Sequence, residues 1–331
     1  MSQGAIYRGR FAPSPTGPLH LGNARTALLS WLAARARGGA YVMRVEDLDG
    51  PRVREGLEGR ILAELRWLGL DWEEGPDVGG ASGPYRQSER MELYAAALRR
   101  LREADLAYPC FCSRAEVARA SQAPHASDEG PRYPGTCRSL SARERVDRER
   151  SRRPAWRLRV GESPVRFVDG FHGPQAVDVS ATVGDFVVAR ADGTPAYQLA
   201  VAVDDAAMGI TEVVRGDDLL ASTARQLLVY QALGLSAPAF AHVPLVVGPD
   251  GERLAKRHGA LSLGELRERG VGPEPVVGLL ASLSGLAPAG AALRPAELVD
   301  GFDLARIPRA PARLDPVAVA RLGAAAGGAK G

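Results

Sequence analysis

The sequence predicts an α/β fold built in two halves around an inserted lobe, and three observations carry that prediction. An apolar run at residues 5–11 leads through a Pro/Gly-rich turn into a helical pattern that starts at His20. A second apolar run at 40–45 completes a strand–helix–strand unit, the building block of parallel sheets. After a long stretch of different character, apolar runs at 197–203, 210–215 and 242–247 read as further strands of the same layer.

In the first unit, Pro13, Pro15, Gly17 and Pro18 forbid regular structure, so the chain must turn there. From His20 onward apolar residues recur at helical spacing through Leu28, Leu29, Leu32 and Ala36. Polar groups therefore gather at a helix N-terminus, whose unpaired N–H groups and positive dipole end suit phosphate oxygens. Gly17 and Gly22 leave room for a ligand to approach the backbone. Pro/Gly turns also open many α/β domains that bind nothing, so the turn alone is only a candidate site.

A chain of 331 residues can bury a full core and make two or three lobes. Hydrophobic content of 45% and charged content of 24% suit a water-soluble globular protein, and no apolar run reaches the length of a membrane span. A cytoplasmic protein with no membrane partner is expected. A net charge of +3 permits a local nucleic-acid face without demanding one. Of the 42 basic residues 40 are Arg, which leaves Lys256 and Lys330 as the lysines and marks interior Lys256 for a task Arg does not perform.

The second strand ends in Glu46-Asp47-Leu48-Asp49. Ligands of open α/β sheets sit at the carboxyl ends of strands, so this cluster can meet an ammonium group. Equally, Asp49 or a neighbour can cap the helix expected over 53–68. Residues 71–84 read as a loop, and 87–104 as an amphipathic helix burying Met91, Leu93, Tyr94, Leu98 and Leu101.

The inserted lobe carries Tyr108-Pro-Cys-Phe-Cys112 and, further on, Cys137. Residues two apart in an extended segment point the same way, so Cys110 and Cys112 can share one metal, with Cys137 as a third thiolate. Four-coordinate zinc needs one more ligand, and of Tyr133 and His125 coordination chemistry favours His125. Three free thiols in a reducing compartment are the alternative. The Arg/Glu run at 139–153 reads as a solvated helix, 156–168 and 185–190 as strands, and Asp192-Gly193 as a turn.

In the second half, Asp204-Asp205 follow the strand at 197–203, and Gly216-Asp217-Asp218 start a helix that runs to Leu233. Arg215 ends a strand and either faces a carboxylate ligand or pairs with Asp217 or Asp218. The strand at 242–247 opens into a Gly-rich loop carrying Lys256. Helices are expected over 261–269, 273–286 and 295–300, and a disordered Ala/Gly tail over 316–331.

Pro13-Ser-Pro-Thr-Gly-Pro-Leu-His-Leu-Gly-Asn-Ala-Arg25 resembles the first ATP-binding signature of class I aminoacyl-tRNA synthetases in its glutamyl form. Arg253-Leu-Ala-Lys-Arg257 resembles the second signature, Lys-Met-Ser-Lys-Ser, with Arg253 and Ala255 as departures. Arg44-Val-Glu-Asp-Leu-Asp49 and the segment from Tyr197 to Leu220 are similar to the pocket segments between them. The likeness covers about residues 8–315, and 302–315 looks like the segment that faces the inner corner of tRNA.

This resemblance implies a Rossmann-like nucleotide-binding domain (1–105 and 196–258), an inserted zinc-containing lobe (106–195) and a short helical C-terminal region (259–315). It implies catalytic Lys256 and His20, with ATP and Mg2+ held by His20, Gly22, Asn23 and Lys256. L-glutamate would meet Arg10, Ala12, Ser14, Glu46, Tyr197 and Arg215; which Arg takes which carboxylate stays open. The zinc set it implies is Cys110, Cys112, Tyr133 and Cys137, favouring Tyr133 where chemistry favours His125.

Full glutamyl synthetases continue into a helical anticodon-binding region that this sequence does not show, so the resemblance narrows to their truncated paralogues. These activate glutamate without tRNA and esterify it onto queuosine at the wobble position of tRNA(Asp). A minimal synthetase charging a tRNA 3′ end and a non-catalytic tRNA-binding relative are the alternatives. With no long apolar face left over, a monomer is expected.

Overall fold

The computed structural model describes residues 6–120, 131–252, 254 and 262–327. Strand β1 (Arg8–Phe11) turns into helix α1 (Leu21–Arg35), which returns to β2 (Ala40–Met43), parallel to β1. Helix α1 is buried on nearly every face, and its apolar residues meet the C-terminal helices as well as the strands. Inside it Arg25, 1% exposed, donates to Ser284 Oγ at 2.9 Å and to the Pro244 carbonyl at 2.6 Å.

Helix α2 (Leu57–Trp67) begins after Gly56 with no side-chain cap, so Asp49 does not cap it: a short 3-10 turn, Gly50–Arg52, separates them. A 3-10 turn, Gln87–Arg90, leads into α3 (Met91–Glu103). Its buried residues are Tyr94, Ala97 and Leu101, while Met91 and Leu93 are exposed, in departure from the expected stripe. The apolar arc is narrower than the residue types suggest, because α3 touches the core along one line of contact.

The inserted lobe holds β3 (Ala107–Cys110), α4 (Arg114–Ala120), α5 (Ala142–Glu149) and β4 (Ala155–Leu158). Helix α5 is solvated and opens on a Ser141/Glu144 capping box, the arrangement that satisfies two orphan N–H groups at once. The chain then makes a hairpin, β5 (Val165–Asp169) and β6 (Gly173–Val177), a short helix α6 (Val179–Thr182) and β7 (Val187–Ala189). Strands β3, β4 and β7 form an antiparallel sheet in that order.

Residues expected as a strand at 197–203 are helix α7 (Tyr197–Ala207). A run buried on all sides shows no period, and here the helical stretch reaches eleven residues through Asp204, Asp205 and two further alanines, longer than a typical strand. Strand β8 (Glu212–Gly216) follows, then a 3-10 turn, Asp217–Leu219, and α8 (Leu220–Leu233), which stops at Gly234 with φ +62°. Such a positive φ is the left-handed conformation a glycine takes without strain.

Strand β9 (Ala239–Val243) lies parallel to β8, and β5 sits on its other side, giving the order β6-β5-β9-β8. Thr211, just ahead of β8, donates its N–H to the Arg8 carbonyl at 2.9 Å, which joins this sheet to β1. Pro244 ends β9, and β10 (Val246–Val247) resumes beyond it.

Helices α9 (Leu263–Glu268) and α10 (Pro273–Ser282) and a 3-10 turn, Pro295–Leu298, pack onto α1. Strand β11 (Ala312–Arg313) pairs with β10. The expected disordered tail is corrected in part: Pro316–Gly327 form helix α11, with Val319 and Leu322 buried against the same core. Ala-rich sequence favours helix once two apolar side chains three apart find a surface.

Helix α7 is tied to α3 by a buried charge. Asp204, fully buried, accepts from Arg90 Nε at 2.7 Å, Gln87 Nε2 at 2.8 Å and the Tyr94 hydroxyl at 2.8 Å. Asp204→Ala leaves Arg90 buried without its anion and is expected to cost about 3–5 kcal/mol. Urea unfolding checks this; a loss below 1 kcal/mol, on the order of an exposed ion pair, would sink it.

Candidate active site

The carboxyl ends of β1, β2 and β8, the N-terminus of α1 and the start of α7 surround a cavity of about 310 Å³. It brings together Arg10, Ala12, His20, Gly22, Asn23, Glu46, Tyr197 and Arg215, eight residues singled out from sequence. Ser14 is exposed and does not line it. Lys256 lies outside the described residues, as do Arg253 and His125.

The turn before α1 delivers His20 as the residue preceding the helix, in extended conformation. Its Nδ1 is buried without a hydrogen-bond partner among the described residues. Among the described residues nothing lies within 4 Å of a Cβ built on Gly17, and a Cβ on Gly22 would meet only ordinary contacts with Val246 and Leu254. The space above the helix N-terminus is therefore not taken by any of the described residues.

A charge network underlies the opposite wall. Arg10 donates to both Asp205 oxygens, at 3.2 and 3.4 Å, and Arg44 donates to Asp205 at 2.7 Å and to Glu46 at 3.1 Å. Burial pushes the Asp205 carboxyl up, but Arg10 and Arg44 outweigh it and hold the group below the usual carboxylate range. Burial wins at Glu46, whose carboxyl rises in spite of Arg44 and Arg10. Arg44 and Asp205 were not singled out as pocket residues; they lie 161 positions apart, and no local spacing signals such a pair.

Arg215 is held differently. None of the ion pairs among the described residues includes it, so the alternative of pairing with Asp217 or Asp218 falls away. Its Nε donates to His242 Nε2 at 2.9 Å and its Nη2 to Thr223 Oγ1 at 2.8 Å. Its Nη1 is buried and without a hydrogen-bond partner among the described residues. A cation surrounded by neutral acceptors keeps its charge for something else.

The inserted lobe gathers a second group. The Sγ atoms of Cys110, Cys112 and Cys137 lie within 4.8 Å of one another, with Cys112 and Cys137 3.6 Å apart. The Tyr133 hydroxyl is 3.3 Å from Cys110 Sγ and accepts from the Cys137 N–H at 2.8 Å. A tetrahedron with Zn–S bonds of ~2.3 Å has edges of roughly 3.8 Å, so three thiolates at these spacings can hold a metal ion.

Arg157 donates to Cys110 Sγ at 3.3 Å and its guanidinium covers the Tyr133 ring at 3.7 Å. Hydrogen bonding from Cys137, then from Tyr133, brings the Cys110 thiol down to about 4 against its burial. Cys137, bonded to that thiolate, and Tyr133, desolvated beside it, are both pushed up.

A family model described as the catalytic domain of class I tRNA synthetases (E and Q) matches residues 7–302. The chain belongs to that family. As a synthetase it is a ligase, and its likeness to curated relatives extends over most of its length. It is 56% identical over 316 residues to the glutamyl-Q tRNA(Asp) synthetase of Symbiobacterium thermophilum, covering 95% of this chain and 98% of the relative.

It is 49% identical to the protein of that name from Nitratidesulfovibrio vulgaris, over 92% of this chain and 95% of the relative. A glutamate–tRNA ligase of Halorhodospira halophila is 50% identical over 93% of this chain, but only 65% of the ligase is covered. Among solved structures, a glutamate tRNA ligase from Elizabethkingia meningosepticum in complex with its amino acid superposes with a TM-score of 0.84. The two are 32% identical, over 96% of this chain and 68% of the ligase. Among the described residues no helix is long and apolar enough to cross a membrane.

Proposed function

We propose that this synthetase activates L-glutamate with ATP and Mg2+, without tRNA, and transfers it to the queuosine base at the wobble position of tRNA(Asp). The observation that carries the acceptor is the 56% identity to a relative named glutamyl-Q tRNA(Asp) synthetase, matched over 98% of its length. The observation that carries the amino acid is a cavity lined by a buried acid, Glu46, and by one guanidinium that pairs with no carboxylate among the described residues.

In this reading Arg215 takes a carboxylate of glutamate, Glu46 meets its ammonium, and Arg10, Ala12 and Tyr197 shape the remainder of the site. His20, Gly22, Asn23 and Lys256 hold ATP, the helix N-terminus accepting phosphate oxygens. A glutamate carboxylate oxygen attacks the α-phosphorus, the bond to pyrophosphate breaks, and a queuosine hydroxyl then attacks the carbonyl to release AMP. The protein contributes positioning and charge to these steps.

Cys110, Cys112, Cys137 and Tyr133 would hold a structural zinc, which supplies cross-linking of the lobe and no reaction step. The catalytic domain comprises residues 1–105 and 196–258, the lobe 106–195, and the protein works as a monomer in the cytoplasm.

The test is glutamate transfer to tRNA(Asp) bearing queuosine, beside tRNA(Asp) bearing guanosine and tRNA(Glu). Label is expected on the queuosine tRNA alone and unaffected by periodate oxidation of its 3′ end. Label on tRNA(Glu) that periodate abolishes would make the protein a 3′-charging synthetase instead. Pyrophosphate exchange that needs tRNA would overturn the tRNA-independent step.

A further inference from the structure

Arg215 is 4% exposed, and its hydrogen bonds among the described residues go to neutral acceptors. Behind it the fully buried His242 on β9 receives the Arg215 Nε–H on Nε2, which assigns its own proton to Nδ1. That nitrogen lies 2.6 Å from Asp169 Oδ2, at the end of β5. Asp169 is itself fixed, its Oδ1 accepting the N–H groups of Phe171 at 2.9 Å, His172 at 2.8 Å and His242 at 3.3 Å. From α8, Thr223 receives Nη2, with the Leu219 carbonyl 3.4 Å from the same nitrogen. Phe240 lies under the guanidinium, 5.2 Å from its carbon.

We propose that Asp169, His242 and Thr223 are positioning residues that orient Arg215 and keep its Nη1 edge open for the substrate carboxylate. This rests on the glutamate reading of the cavity given above. A carboxylate in direct contact would neutralise the guanidinium, as Asp205 does at Arg10; no partner at all would leave a bare buried cation. A neutral imidazole between Asp169 and Arg215 avoids both. It fixes the plane of the fork from behind and offsets the charge without occupying the face that the ligand uses. Burial lowers the His242 pKa, consistent with the neutral ring that acceptance from Arg215 requires.

Asparagine at 242 reaches only the Nδ1 position and can serve Asp169 alone, whereas glutamine reaches the Nε2 position and can serve Arg215. The full-length protein and its H242N, H242Q, T223V and T223S variants are compared by calorimetric titration with L-glutamate and by pyrophosphate exchange. H242N is expected to weaken glutamate binding by about tenfold or more, the loss of a hydrogen bond to a charged group. H242Q should recover most of that loss, T223V should weaken binding several-fold while T223S does not, and the KM for ATP should stay within twofold of wild type.

Should H242N fail to fold, the T223V and T223S pair decides. Wild-type protein that binds glutamate, with folded H242N or T223V binding it equally tightly, overturns this inference alone. Wild-type protein that binds no glutamate overturns the substrate reading, and this inference with it.

Discussion

Replacing Arg215 by alanine is expected to lower kcat/KM for glutamate between about a hundredfold and ten-thousandfold, from two charge-assisted contacts of about 1.5–3 kcal/mol each. Two of the guanidinium nitrogens go to neutral acceptors, and the third has no partner among the described residues. Arg215→Lys should recover little, because one ammonium cannot reach His242, Thr223 and a ligand together. The discriminating control is Arg10→Ala. That change strands Asp205 on Arg44 and should reduce the melting temperature, whereas Arg215→Ala should leave melting less affected and remove binding. Pyrophosphate exchange within tenfold of wild type in a folded Arg215→Ala protein would dismiss the assignment.

Stripping metal from the inserted lobe is the second large effect. The lobe has its own small core, Tyr108, Cys110, Phe111, Val117, Tyr133, Cys137 and Leu140, and three of these seven belong to the proposed ligand set. A core that small does not hold three cysteines and a tyrosine together unaided. Structural zinc contributes about 10–16 kcal/mol in small domains, and several kcal/mol in a chain of 331 residues move melting by about 5 °C or more.

One zinc per chain by elemental analysis is expected, lost on dialysis against a strong chelator together with that fall in melting temperature. Cys112→Ser should reproduce the fall in part. A protein that melts at the same temperature with and without chelator, and carries no metal, would leave three thiols and no zinc site.

What could be read from sequence followed physical lines. The first strand, turn and helix were legible because Pro and Gly stand at fixed places and apolar residues recur at helical spacing from His20 onward. The pairing of Cys110 with Cys112 was legible because residues two apart in an extended chain share a side, whereas Tyr133, four positions before Cys137, entered only through the resemblance. Helix α7 was not, since a stretch buried on every face carries neither a period of two nor one of 3.6. Nor was the chain from Asp169 through His242 to Arg215, whose members are 73 and 27 positions apart and meet only when β5, β9 and β8 lie side by side. The terminal helix was read as a tail because its alanines and glycines outnumber the two side chains, Val319 and Leu322, that anchor it.

Tyr197 borders the 310 Å³ cavity and also a larger hollow of about 790 Å³ that runs past Arg157, Arg190 and Tyr133 toward the cysteines. One aromatic side chain is thus masonry common to two rooms. A substitution that alters the bulk of this ring resizes both at once, so a defect in the smaller room and a defect in the larger arrive together. Whatever each room receives, no single change at this position tunes one without disturbing its neighbour.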